Sequence, residues 1–179
     1  MVDFEKIANS IEEGYSAERA TSFDRDFTLP DLKEVTTMIK EIRKLFFPAY
    51  FSANDVKGEP SNFARPLLAT IYYRLKKQLV AALSFATAPE KSAEEIADVF
   101  LSALPEIQRV LMTDAQAALE GDPAAKTKEE IIVSYPGFYA IFVYRLAHVL
   151  YEQKVPFIPR MMTEYAHSKT GIDINCFLK

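Results

Sequence analysis

The apolar residues of this chain recur every three or four positions, and prolines punctuate the recurrence. Leu32, Val35, Met38, Ile39, Ile42 and Leu45 form one such stripe, opened by Asp31 after Pro30 and closed before Pro48. A stripe with that step lies along one face of an α-helix and must be buried against a neighbour. A chain built of such segments is directed toward helix-on-helix packing. Five glycines and few clusters of β-branched residues argue further against an all-β fold.

Taken in order, Phe4 to Arg19 reads as a first helix through Phe4, Ile7, Ala8 and Ile11, and Leu32 to Leu45 as a second. Phe47 to Pro60 reads as a connector whose Phe51 packs back on the domain, with Asn54, Asp55 and Gly58 beside it. A third helix is predicted from near Ser61, tolerating Pro66 in its early turns and passing Leu67, Ile71, Leu75, Leu79 and Leu83 before Thr87-Ala88-Pro89 ends it. Ser92 and Glu95 stand at the spacing at which each side chain satisfies a backbone donor of a helix start. The helix they open is expected to kink or split at Pro105, which has no N–H to give. Gly121 is expected to stop it in a left-handed conformation.

The second half is punctuated in the same way. Thr127 and Glu130 repeat the capping spacing, and Pro136 suits the first position of a helix. That helix, to about Gln153, is apolar almost all round, so it is expected to be buried on most sides. Its exceptions, Arg145, His148 and Glu152, share one face and read as a satisfied polar stripe. After Val155-Pro156, Pro159 opens a last helix with Arg160, Glu164 and His167 on one side, and Gly171 ends it. Only Ile172-Asp173-Ile174 alternates apolar and polar as a strand does. The expected fold is all-α, a multi-helix antiparallel bundle, with at most one vestigial strand at Ile172–Ile174.

Charge and cysteine content exclude several classes of function. A net charge of −4 argues against a general polyanion binder, so no nucleic-acid role is expected. No run approaches the roughly 20 apolar residues that span a bilayer. The single cysteine, Cys176, permits no internal disulfide, which suits a reducing, cytoplasmic setting. Cys176 has no base in view and does not read as a nucleophile. His148 and His167 lack metal-ligand spacing, so no metal is expected. Nothing in residues 1–120 combines nucleophile, base and orienting group, and that part reads as a packing and assembly module.

The stretch from Asp122 to Asn175 carries more. Asp122-Pro-Ala-Ala125, Tyr135-Pro-Gly-Phe-Tyr-Ala-Ile141, Tyr144-Arg145, His148, Thr163-Glu-Tyr-Ala-His-Ser168 and Thr170-Gly-Ile-Asp-Ile174 resemble serine O-acetyltransferase. The resemblance covers roughly the last third of the chain, and the earlier helices fit the family's amino-terminal domain in kind. It implies transfer of an acetyl group from acetyl-CoA to L-serine, the step that commits serine to cysteine synthesis, with no tightly bound cofactor. It implies a helical domain followed by a left-handed β-helix of hexapeptide repeats, with the active site between neighbouring β-helices. It implies oligomers, which in bacterial members commonly pair trimers through the helical domains.

On this resemblance Asp122 matches the aspartate that contacts substrate serine. Asp173 matches the carboxylate that partners the catalytic histidine. The departures are as informative. Asn175 and Cys176 stand where the family has the histidine and proline of its Asp-Ile-His-Pro segment, and Phe177-Leu-Lys179 follows in place of hexapeptide turns. Both histidines fall on helical motifs. The catalytic histidine, the acetyl-CoA groove and the tail that binds O-acetylserine sulfhydrylase are therefore expected to be absent from these residues. The expected organisation is a helical domain over 1–170 and the start of a truncated β-helix over 171–179, self-associating through helical surfaces. The alternative reading is a non-catalytic helical oligomerisation or regulatory module from a truncated gene.

Overall fold

The computed structural model describes residues 2–15, 27–52 and 58–175. The expectations placed on Ser16–Arg19, Asn54, Asp55, Cys176, Phe177 and Leu178 lie outside the described residues. Among the described residues there are eight helices and no strand: α1 (Phe4–Tyr15), α2 (Leu32–Phe46), α3 (Pro48–Phe51), α4 (Pro60–Leu83), α5 (Ala93–Gly121), α6 (Lys128–Ser134), α7 (Pro136–Glu152) and α8 (Ile158–Thr170). The fold is all-α, as the periodicity requires.

Local chemistry sets most helix ends. Asp31 caps α2, its Oδ1 accepting from the Lys33 amide at 2.7 Å. The Asp31 amide in turn donates to Oε1 of the buried Gln78 on α4, also at 2.7 Å, which ties the start of one helix to the flank of another. Ser92 and Glu95 form the full reciprocal cap on α5. Thr127 accepts from the Glu130 amide as expected, but the Glu130 carboxylate reaches one residue further back, to the Lys126 amide at 3.0 Å. Gly171 ends α8 with φ +69°, a left-handed stop.

Two expectations are corrected and one, at Pro48, is extended. Pro48 does not merely end α2; it opens the short α3, because a proline at a first helical position gives up an N–H that has no partner there anyway. Pro105 sits inside one continuous helix of 29 residues. Buried groups on both sides of it, Phe100 and Leu104 before, Ile107 and Leu111 after, anchor both halves in the core, so the helix does not split. Each fully buried side chain of that size contributes about 1.5–3 kcal/mol, enough together to offset the roughly 3 kcal/mol an interior proline costs. Gly121 is the last residue of α5 and not among the positive-φ residues; the chain leaves the helix at Asp122 in a β conformation instead.

The core forms where α2, α4, α5, α7 and α8 meet. α7 packs most extensively on α8, while α2 lies on α4, α4 on α5 and α5 on α7. Phe142 of α7 sits at the centre, 6.0 Å edge-on from Phe46 and 6.0 Å from Tyr139. The apolar girdle of α7 is not wholly buried, since Ile141 is exposed. Residues 172–175 have no regular structure; Ile174 packs against the core while Ile172 stays exposed. A lone alternating tripeptide has no strand to pair with. α1 buries none of its residues.

Candidate functional site

Asp122 lies where α5 gives way to a tight turn. Its amide still donates to the Ala118 carbonyl, closing the helix. Its Oδ1 accepts from the Ala124 amide at 2.9 Å and its carbonyl from the Ala125 amide at 3.0 Å. This is the side-chain turn that aspartate favours before Pro-Ala. The other carboxylate oxygen, Oδ2, accepts from the Tyr135 hydroxyl at 2.7 Å. Tyr135 is itself fixed, being the single residue between α6 and α7 and donating its amide to the Ile131 carbonyl.

These contacts polarise the pair. The Tyr135 hydroxyl first, and the Ala124 amide second, hold the Asp122 carboxyl below its ordinary value. The Tyr135 hydroxyl is pushed up from 10.0 to about 12, chiefly because it donates to that carboxylate. At neutral pH the site therefore presents an aimed, half-exposed carboxylate. An ionised carboxylate offers about four lone-pair positions, and two are taken. The remainder can accept an ammonium group.

Asp173 is placed differently. Its side chain is 97% exposed, and its Oδ1 lies 3.0 Å from Nδ1 of His167. The left-handed turn at Gly171 reverses the chain and brings Asp173 back over the last turn of α8. The contact joins Asp173 to a histidine of the preceding helix. Among the described residues Asp122 and Asp173 share no partner.

The other candidates are engaged in packing. His148 stacks between Tyr144 and Tyr151, at 5.5 and 6.3 Å, with Nε2 3.5 Å from Glu152. Arg145 turns away from it and grips Asp114 of α5 in a fork, at 2.7 and 2.8 Å. The polar stripe on α7 is satisfied as expected, though through a partner the spacing did not indicate. Among the described residues no group of three or more histidines, cysteines or carboxylates is arranged to hold a metal. No described helix is long and apolar enough to cross a membrane.

Comparison with known proteins points one way. Residues 67–142 match the family described as "Serine acetyltransferase, N-terminal". That stretch contains both Asp122 and Tyr135, and it reaches further toward the amino terminus than the motifs do. A plasmid serine acetyltransferase of Synechococcus elongatus is 32% identical over 164 residues, which is 85% of this chain and 51% of the relative. The crystal structure of serine acetyltransferase 1 from Entamoeba histolytica superposes with a TM-score of 0.67 at 37% identity, covering 96% of this chain and 61% of that one. The same protein in complex with L-cysteine gives 0.64 at 35% identity, over 96% and 60%. The chain thus spans about half the length of the plasmid relative.

Proposed function

The chain is a relative of the serine acetyltransferases, matched through their helical amino-terminal region, and from that premise we propose that it supplies the substrate side of L-serine acetylation by acetyl-CoA. The carrying observation is the Asp122–Tyr135 pair, an ionised and aimed carboxylate inside the matched stretch. Asp122 accepts from the ammonium of serine, and Tyr135 together with the Ala124 amide keeps the carboxylate charged and in place.

The reaction needs a base, because a serine hydroxyl is a poor nucleophile at neutral pH. The hydroxyl loses its proton to a histidine, its oxygen attacks the thioester carbonyl, the carbon–sulfur bond breaks, and coenzyme A leaves as the thiol. A carboxylate orients such a histidine and stabilises its charged form, and Asp173 is suited to that role. His148, held between two tyrosines, and His167, in the last turn of α8, belong to the helical scaffold. The base and the acetyl-CoA groove belong to a β-helix domain in this proposal, placed after Asp173. Cytoplasmic location and assembly into oligomers are part of the same reading.

The test joins residues 1–173 to the β-helix of a relative and replaces Asp122→Asn. Loss of one charge-assisted contact to substrate should raise KM for serine by about tenfold or more and leave KM for acetyl-CoA unchanged. An unchanged KM for serine would remove Asp122 from the site.

A further inference from the structure

Tyr135 has a second neighbour besides Asp122. It lines a groove of about 480 Å³ between α2, the α6–α7 joint and α8. Four cationic side chains border it: Lys40, Arg43 and Lys44 from one face of α2, and Lys169 from the last turn of α8. Among the described residues no carboxylate lines it, although carboxylates outnumber cations in the chain as a whole, 25 to 21.

Arg43 is the telling group. The half-buried Arg74 holds Glu34 and Glu41, and the half-buried Arg145 holds Asp114. Arg43 is half-buried too, yet among the described residues it has no carboxylate. Its Nη2 donates to the Ile132 carbonyl at 3.2 Å, and its guanidinium lies 3.8 Å from the centre of the Phe51 ring and 5.0 Å from that of Tyr139. Burial pushes its pKa down, the direction of a charge without a counter-ion. A buried charge left without an opposite one is costly. Arg43 stands in the last turn of α2, whose terminal carbonyls offset part of that cost, but they leave the groove itself open.

The walls carry a second kind of chemistry. Phe51, Tyr139 and Tyr165 form an aromatic lining, and Lys169 Nζ lies 5.7 Å from the centre of the Tyr165 ring. A planar guanidinium fixed against rings, with flexible ammonium groups around it, suits a multiply charged oxyanion that carries a flat body.

We propose that this groove is a binding site for a phosphate monoester with a flat organic body, its phosphate on Arg43, Lys40 and Lys169 and its body against Tyr139 and Phe51. The groove shares Tyr135 with the Asp122 pair, but neither serine nor acetyl-CoA enters its test.

The probe is phenyl phosphate, titrated into the whole 179-residue protein and followed by amide chemical shifts in ¹H–¹⁵N NMR, with inorganic phosphate and phenol as its separate halves. Saturable shifts around Arg43, Tyr139 and Lys169 are expected, tighter for phenyl phosphate than for either half and weakened by salt. Lys40→Glu and Lys169→Glu alter exposed side chains and keep the fold; each should weaken binding about tenfold or more. Arg43→Met should weaken it as well, with its fold checked by circular dichroism. Absence of saturation at about 10 mM, a concentration that would fill most of a site of millimolar Kd, would overturn the proposal. So would an affinity unchanged by both charge reversals, or inorganic phosphate binding as tightly as phenyl phosphate.

Discussion

The Tyr135 hydroxyl reaches back 13 residues to donate to Asp122 at 2.7 Å, joining the end of α5 to the joint between α6 and α7. The contact couples two titrations of opposite sense. Asp122 is depressed below its ordinary value, so its contribution to stability is present above the unfolded carboxyl pKa and is lost as pH falls through the folded one. Tyr135 is raised from 10.0 to about 12, so its contribution is fully present below 10.0 and is lost as pH rises toward about 12. Tyr135→Phe should therefore lower the urea midpoint most near neutrality. Midpoints compared at about pH 3, 7 and 11 should show the gap from the parent narrowing at both ends. A gap of constant size would mean that the hydrogen bond does not hold the carboxylate.

The two helix-ending glycines should respond in opposite directions to alanine. Gly171 has φ +69° with nothing within 4 Å of the position a Cβ would take, so Gly171→Ala meets backbone strain alone. It should cost about 1–2 kcal/mol, and Gly171→Asn less. Gly121 ends α5 without a positive φ and with equally open space. Gly121→Ala should gain about 0.5–1 kcal/mol. Thermal melts of the three variants check both signs.

Those two positions also show where sequence reading stops. Proline placement, capping pairs and apolar stripes are local, and they locate α2, α4, α5, α7 and α8 to within a few residues. Whether a terminal glycine turns left-handed depends on what the following residues pack against. Gly171 is followed by Ile174, which returns to the core, whereas Gly121 is followed by an aspartate that caps its own turn. The continuity of α5 through Pro105 is likewise decided by burial on α4 and α7 and not by the proline. In the site, Asp122 is legible through resemblance, but its tie to Tyr135 crosses a turn and a whole short helix. The Asp173–His167 contact exists only because Gly171 reverses the chain, and periodicity assigns His167 to a helix face.

The fork between Arg145 and Asp114 clamps α7 to α5, and both side chains are mostly shielded from solvent. Arg145→Met should cost about 1–3 kcal/mol in urea unfolding, much of it from stranding Asp114. Adding Asp114→Leu should recover most of the loss, because two apolar groups of similar size replace the pair. A double variant as weak as the sum of its singles would show that the pair contributes through packing instead.

α1 presents Phe4, Ile7, Ile11 and Tyr15 to solvent along one stripe and buries none of them. An exposed apolar stripe of this kind tends to find a partner. The protein should self-associate in light scattering, and Ile7→Glu with Ile11→Glu should shift it toward monomer. A parent that stays monomeric at high concentration would contradict this.

The central proposal is that Asp122 contacts serine and that acetylation also needs a base and an acetyl-CoA groove from a β-helix placed after Asp173. Asp122 is present and aimed; a base positioned on the serine hydroxyl contributes typically about 10²–10⁴-fold, and holding two reactants together contributes more. The most direct measurement is free-thiol release from acetyl-CoA in the presence of serine, made on the 179-residue polypeptide and on residues 1–173 joined to a relative's β-helix. The account predicts no serine-dependent release from the first and clear serine-dependent release from the second. Serine-dependent turnover by the 179 residues alone, at the rate of the joined protein, would contradict it and direct the search for the base to His148 and His167.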